Sequence, residues 1–204
     1  CDDTDPNVNS GATEIVDDGM DSDCDGSELC YEDADGDGHR DIAGTTVSSE
    51  DMVCDAVGEA TSAYPADDCN DYVGSVYGGA TEIIGDGIDQ DCDGTELCYA
   101  DVDNDGFVDA TGATVVSADL DCNDSGEGTS SDPMTDCDDS DAFTYYGAAY
   151  IENPEACMED TDGDGWGSIY VAFGVEAGTD CNDIDETLEL SDFDGDGFST
   201  CDGD

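Results

Sequence analysis

Cysteine spacing constrains the fold of this chain more than any other feature of its sequence. The first five cysteines of the repeating pattern return 68 residues later, which relates Cys1, Cys24, Cys30, Cys54 and Cys69 to Cys69, Cys92, Cys98, Cys122 and Cys137. The text between them also matches, since "GATEIVDDGMDSDCDGSELC" returns as "GATEIIGDGIDQDCDGTELC". A fixed period is typical of a tandem repeat. The sequence therefore predicts three repeats, at residues 1–68, 69–136 and 137–204.

The third repeat is an edited copy of the first two. Its segment "GAAYIENPEACMEDTDGDG" lacks a stretch equivalent to "DGMDSDCDG", and the part after Cys181 contains an extra acidic loop, "DFDGDGFST". The sequence shows no signal peptide and no membrane-spanning segment. When the last residues of the chain are written in front of its first residues, the joined sequence continues the repeat without interruption. We therefore expect a section of a longer array, or one unit of a polymer whose subunits meet end to end.

Large apolar side chains are too few to fold such a chain by themselves. The chain has 58 Asp and Glu against a single Lys or Arg, and Leu, Ile, Val and Phe make up about 15% of its residues. Such chains normally stay unfolded, because ordering the backbone costs more free energy than so little burial returns. Disulfides and bound cations are the expected substitutes for the core. The negative charge excludes nucleic acid as a partner, since phosphate binding requires Lys and Arg.

Twelve cysteines in a chain so poor in core residues predict a disulfide framework and an oxidising, extracellular compartment. Equal spacing favours bonds between neighbours, namely Cys1–Cys24, Cys30–Cys54, Cys69–Cys92 and Cys98–Cys122. The last four cysteines leave two alternatives. Analogy with the earlier repeats pairs Cys157 with Cys181. Pairing of nearest neighbours instead gives Cys137–Cys157 and Cys181–Cys201.

Six segments share the pattern D-x-D-x-D-G, which predicts tightly turned cation-binding loops. Alternate spacing lets three carboxylates converge, and the glycine permits the sharp turn. Calcium accepts irregular cages of about 6 to 8 oxygens, whereas zinc and copper prefer His and Cys. The predicted ligands are Asp21, Asp23, Asp25, Asp33, Asp35, Asp37, Asp89, Asp91, Asp93, Asp101, Asp103, Asp105, Asp160, Asp162, Asp164, Asp192, Asp194 and Asp196. Asp41 and Asp109, four residues after their triplets, are predicted as additional ligands.

A second acidic cluster lies beside the cysteine that opens each repeat. In the first two repeats it is followed by "GATEI" and then by Asp18 or Asp86, which predicts a second cation site per repeat. The predicted ligands are Asp3, Asp5, Glu14, Asp71, Glu82, Asp139, Asp141, Asp183 and Asp185. Tyr150 stands where the other copies have a glutamate, so the signal is weaker in the third repeat. We expect roughly two or more calcium ions per repeat.

Three stretches, "CDDTDPNVNSGATEI", "DGIDQDCDG" and "YEDADGDG", resemble the MopE-type metal-binding repeats of secreted bacterial proteins. Those repeats are similar to thrombospondin type 3 calcium-binding repeats. The resemblance covers nearly the whole chain and implies a calcium-laden, disulfide-linked array at the surface of a bacterial cell or outside it. Family members often have a cysteine directly after "EI", where this chain has Val16 and Ile84. Cysteine pairing is therefore not carried over from the family.

The predicted fold class is irregular, a tandem-repeat rod stabilised by calcium and disulfides. Short β-strands are expected at "GTTVSS", "GATVVS" and "GSIYVAFGV", and no long helix. The predicted function is that of a stiff extracellular stalk or fibre that self-associates end to end or laterally, with a glycan sequon at Asn123. The alternative is a cell-surface module that scavenges calcium or another metal. Interchangeable loops lack the two distinct carboxyl pKa values of a carboxylate hydrolase, so we expect no enzyme.

Overall fold

The structure is a computed structural model that describes residues 4–187 and residue 201. Within this part of the chain, regular secondary structure is limited to short β-strands. They are β1 (Glu28–Asp33), β2 (Thr46–Ser49), β3 (Gly58–Ala60), β4 (Glu96–Asp101), β5 (Thr114–Ser117), β6 (Gly126–Gly128), β7 (Thr144–Tyr146) and β8 (Cys157–Glu159). The prediction of an irregular fold with short strands is confirmed. Among the described residues, no helix is long and apolar enough to cross a membrane.

The chain forms two compact units. The first consists of Cys1–Glu82 and Ile88–Thr95, and the second of Ile83–Gly87 and Glu96–Asp204. Each unit contains an antiparallel three-stranded sheet with the longest strand in the centre, in the order β2-β1-β3 or β5-β4-β6. The second unit also contains the antiparallel pair β7–β8. The 68-residue period thus appears as two copies of one sheet, while the boundaries of the three repeats stay a prediction.

A disulfide occupies the centre of each sheet. Cys30, in the middle of β1, is fully buried and bonded to Cys54, and Cys98 of β4 is bonded in the same way to Cys122. Alternate residues of a strand face the same side. Glu28 and Glu96, two residues before these cysteines, share their face and are buried acids. Asp33 and Asp101, at the other ends of the strands, are buried acids as well. The sheets therefore place carboxylates where other proteins place a core.

The described cysteines are all in disulfides. The recorded bonds are Cys30–Cys54, Cys69–Cys92, Cys98–Cys122, Cys137–Cys157 and Cys181–Cys201. The first three confirm the predicted pairs, and Cys1 lies outside the described residues. Analogy with the earlier repeats gave the wrong partner for Cys157. The reason is that β8, which begins at Cys157, pairs with the preceding strand β7, whereas β1 and β4 pair with strands that follow them.

Two of the three predicted strand segments are confirmed, because "GTTVSS" contains β2 and "GATVVS" contains β5. The prediction of a strand in "GSIYVAFGV" is wrong. That segment has only the isolated bridges Ser168–Asp180 and Phe173–Val175. Its apolar residues find no partner strand, and the Phe173 side chain is fully exposed. The central strands β1 and β4 were not predicted, since the acids at their inward positions hide the usual apolar alternation.

A buried disulfide should contribute more stability than an exposed one that closes a loop of similar length. Cys98–Cys122 spans 24 residues in a buried site, whereas Cys69–Cys92 spans 23 residues and Cys69 is exposed. Replacing either pair by alanine removes about 3 kcal/mol of loop restriction. The variant Cys98→Ala/Cys122→Ala should lose about 1 to 2 kcal/mol more, because buried contacts disappear as well. Denaturant unfolding at one fixed cation concentration measures both losses, and equal losses would contradict this role of Cys98.

Candidate metal centres

Three of the D-x-D-x-D-G loops follow the same hydrogen-bonding plan, and we name them by their aspartates. Cage 1 has Asp33, Asp35 and Asp37; cage 2 has Asp101, Asp103 and Asp105; cage 3 has Asp160, Asp162 and Asp164. In cage 1 the first Asp accepts the N–H groups of Gly36 at 2.8 Å and Gly38 at 3.2 Å. Gly36 has a φ of 77°, which glycine adopts without strain. Cage 3 repeats both bonds, at 2.8 and 2.9 Å, whereas cage 2 has only the second of them, from Gly106 to Asp101 at 3.3 Å.

The second and third aspartates of each cage have one carboxylate oxygen that no hydrogen bond uses. In cage 1, Asp35 accepts the N–H of Asp37 at 3.2 Å, and Asp37 accepts that of His39 at 2.8 Å. Cages 2 and 3 repeat these bonds. The opposite oxygen, Oδ2, is buried without a hydrogen-bond partner in Asp35, Asp37, Asp103, Asp105, Asp162 and Asp164. Buried anionic oxygens without donors strongly destabilise a fold unless a cation neutralises them.

A fourth carboxylate, which the sequence prediction missed, lies beside each cage. These residues are Asp68, Asp136 and Asp180, each fully buried and each directly before a cysteine. In Asp68, one oxygen accepts the N–H of Asn70 at 2.7 Å, and Oδ2 is buried with no hydrogen-bond partner. The other two have the same arrangement. A parallel β-bridge between Asp41 and Asp68 holds the backbone of this acid next to the end of cage 1.

The charges of the cages act on these buried acids. Burial, together with the negative charges of Asp103 and Asp105, raises the pKa of Asp136 to about 7. The same two causes raise the pKa of Asp180 to about 6, where cage 3 supplies the charges. The pKa of Asp68 is raised too, by burial first and then by the carboxylates of cage 1. Each cage is thus a concentration of negative charge that favours either protons or metal cations.

The structure separates the acids that the sequence assigned to a second cluster. Three of them lie at the mouths of the cages and accept the N–H of the residue after the first Asp: Asp71, Asp139 and Asp183. Burial, with smaller contributions from neighbouring charges, raises the pKa of Asp71 to about 6. Three others accept the N–H two residues later and so cap turns: Asp5, Asp141 and Asp185.

Two further D-x-D-x-D-G loops combine with a glutamate. One carboxylate oxygen from each member lies within 4.8 Å of the others in the groups Glu14–Asp21–Asp23 and Glu82–Asp89–Asp91. The third aspartates of these triplets, Asp25 and Asp93, are exposed and cap the turns at Ser27 and Thr95. The third carboxylate of each group therefore comes from the preceding "GATEI" segment, which sequence spacing assigned to the second cluster.

Asp41 and Asp109, the additional predicted ligands, accept hydrogen bonds from the turns that follow them. Both carboxylate oxygens of Asp41 accept hydrogen bonds from Ala43 and Thr45, and Asp109 accepts the N–H of Thr111 at 2.7 Å. Four predicted ligands lie outside the described residues: Asp3, Asp192, Asp194 and Asp196. The sequence contained one signal for the buried fourth carboxylate, the recurring dipeptide "DC". This signal is not specific, because "DC" also occurs at positions that are not beside a cage.

Without divalent cations, the free energy of unfolding should fall as pH rises from about 4 to about 7. The pKa of Asp136 is about 7 in the folded chain against 3.8 in the reference state, so its ionisation above pH 4 favours unfolding. Each unit of pKa difference corresponds to about 1.4 kcal/mol. In chelator-treated protein, Asp136→Asn should flatten this dependence relative to Asp109→Asn. Denaturant unfolding at several pH values tests it, and identical slopes in the two variants would exclude Asp136 as a source.

Comparison with known proteins agrees with this geometry. Four segments match a family model named Cu-binding_MopE and described as a "putative metal-binding motif": residues 1–28, 68–95, 94–109 and 136–164. No curated protein and no solved structure matches the chain. The matched segments contain both glutamate-associated groups, cage 2 and the loop of cage 3. Four segments of this chain therefore carry a MopE-type metal-binding motif.

Proposed function

We propose that this chain is an extracellular calcium-binding structural protein, in which divalent cations replace an apolar core and stiffen a stalk or fibre. One observation carries the proposal, namely the buried carboxylate oxygens that have no hydrogen-bond donor. Cage 2 is the strongest case, because Asp101 Oδ1 and the Oδ2 atoms of Asp103, Asp105 and Asp136 are all of this kind. Four such oxygens offer most of a calcium coordination shell, with backbone carbonyls and water to complete it.

The protein has almost no positive charge of its own to neutralise these oxygens. Its single Arg or Lys is Arg40, whose guanidinium lies 3.9 Å from the centre of the Tyr31 ring and whose Nε donates to the Tyr64 carbonyl. Its single histidine, His39, pairs through Nδ1 with Asp67 at 2.7 Å. The counter-charge for the cages must therefore come from solution, as protons or metal ions.

The donor atoms favour calcium among the metal ions. The cages offer hard carboxylate oxygens in an irregular arrangement, which calcium accepts and magnesium, with its strict octahedral geometry, does not. The name of the matching family includes copper, but copper sites are typically built from imidazole or sulfur ligands. The described cysteines are all in disulfides, and the one histidine already pairs with an aspartate. The residues present fit a calcium-class ion better than copper.

A mechanical role is favoured over ion scavenging by the way each cage joins distant parts of the chain. Asp68 lies 31 residues after Asp37, so an ion in cage 1 would close a long loop as a disulfide does. The abundant disulfides support an oxidising, extracellular location. Structural modules outside cells bind calcium with dissociation constants of about 0.1 to 1 mM. A scavenger would bind far more tightly.

Removing calcium should expand the chain while leaving its disulfides intact. The reason is that cages without a cation repel, and little apolar burial opposes their opening. Small-angle scattering should show a larger radius of gyration after chelation, and a protease specific for apolar residues should then cut rapidly. Adding calcium back, but not an equal concentration of copper, should reverse both effects. Unchanged dimensions after complete chelation would overturn the proposal, and full reversal by copper alone would make copper the ligand.

The fourth carboxylate should determine the affinity of cage 3, which the single tryptophan can report. The backbone N–H of Trp166 donates to Asp164 at 2.8 Å, so this residue adjoins cage 3 and its indole ring should excite terbium bound there. Asp180→Asn should weaken terbium binding about tenfold, because one charged oxygen of the shell is lost. Asp185→Asn is the matched control, since Asp185 accepts from Thr187 and caps a turn. Equal affinities in the two variants would rule out Asp180 as a ligand.

A further inference from the structure

Glu28 is a buried acid that belongs to none of the three cages. It is the first residue of β1, is 1% exposed, and lies opposite Ser49 in the sheet. Its Oε1 accepts the N–H of Asp17 at 3.0 Å, while Oε2 is buried without a hydrogen-bond partner. A buried carboxylate oxygen without a donor is costly for the fold. Its presence at the edge of an acidic group therefore points to a cation.

Two other acids converge on this oxygen-rich position. Glu14, Asp18 and Glu28 each place one carboxylate oxygen within 4.8 Å of those of the other two. Asp18 is exposed and its Oδ1 accepts the N–H of Met20 at 2.9 Å, so the group is open to solvent on one side. The other side is closed by the sheet, at Glu28. An ion can therefore enter from solution and meet a prearranged, partly dehydrated set of oxygens.

Glu14 also belongs to the group with Asp21 and Asp23, in which the oxygens again lie within 4.8 Å of one another. The backbone holds its carboxylate firmly, because one oxygen accepts the N–H of Ser22 and the other that of Asp23, both at 3.2 Å. A carboxylate shared by two such groups can bridge two metal ions, and the ions of two-metal sites in proteins are about 3.5 to 4 Å apart. The two groups share one carboxylate and are otherwise made of different residues.

We propose that residues 14–28 bind a pair of calcium-class divalent cations bridged by Glu14. One ion lies among Glu14, Asp21 and Asp23, and the other among Glu14, Asp18 and Glu28. This inference rests on the proposed function, since it assumes that the chain takes up such ions, and it adds a site that the D-x-D-x-D-G pattern does not contain. Glu28 is the closing ligand of the second ion, and it connects that ion directly to β1.

The test is a count of calcium ions bound per intact, oxidised chain by native mass spectrometry at saturating calcium. Glu28→Gln and Asp23→Asn should each lose one ion, whereas Glu14→Gln should lose two. Asp18→Asn should lose the same ion as Glu28→Gln, and because Asp18 is exposed, this variant does not disturb the sheet. Glu50→Gln, which changes an exposed glutamate beyond the end of β2, is the control and should bind the full number.

Manganese provides an independent measurement of the pair. Two Mn²⁺ ions bridged by Glu14 should give a broadened, coupled electron paramagnetic resonance signal in the unaltered chain, and Asp18→Asn should leave only single-ion spectra. The inference is overturned if Glu28→Gln and Asp18→Asn bind as many calcium ions as the unaltered chain, or if Glu14→Gln loses only one. An unaltered chain that binds no calcium would instead overturn the proposed function itself, so the two failures are distinguishable.

Discussion

Carboxylate oxygens buried without a hydrogen-bond donor are the constraint on which the rest of this structure depends. In each cage, backbone N–H groups of a tight turn satisfy one oxygen of an aspartate and leave the opposite oxygen without a donor, as in Asp35 and Asp37. A chain with a net charge of -57 cannot supply the missing positive charge from its own side chains. Under the proposed function, folding and cation binding would be one coupled equilibrium, because bound cations would stabilise the cages and the unfolded chain has no preformed site.

The disulfides and the cages reinforce each other because they share backbone segments. Asp68 directly precedes Cys69, and Asp136 directly precedes Cys137, so the fourth carboxylate of a cage is adjacent to a covalent bond. Aromatic stacking adds a further link, which the sequence did not suggest. The residue two positions after each of the first two cages stacks on a later tyrosine, with ring centres 4.1 Å apart for His39–Tyr77 and 4.2 Å for Phe107–Tyr145.

Local features of the fold and of the sites were predictable, and long-range groupings were not. The alternate aspartates of cage 1 could be recognised as a loop because all three lie within five residues. Asp68 could not be assigned to that loop, since a β-bridge to Asp41 brings it there from 31 residues away. The same limit affected Glu14, which spacing assigned to the second cluster and which the backbone N–H groups of Ser22 and Asp23 hold beside the Asp21 triplet.

The sequence by itself determined that this chain needs disulfides, because its apolar content and charge rule out an ordinary core, and for the same reason it predicted bound cations. It also determined the 68-residue period, the pairs Cys30–Cys54, Cys69–Cys92 and Cys98–Cys122, and the loops rich in alternate aspartates. Only the tertiary structure decided the partner of Cys157 and the fourth carboxylate of each cage. The physical reason is that spacing records distances along the chain, whereas a coordination shell is defined by which side chains the strand pairing brings together in space.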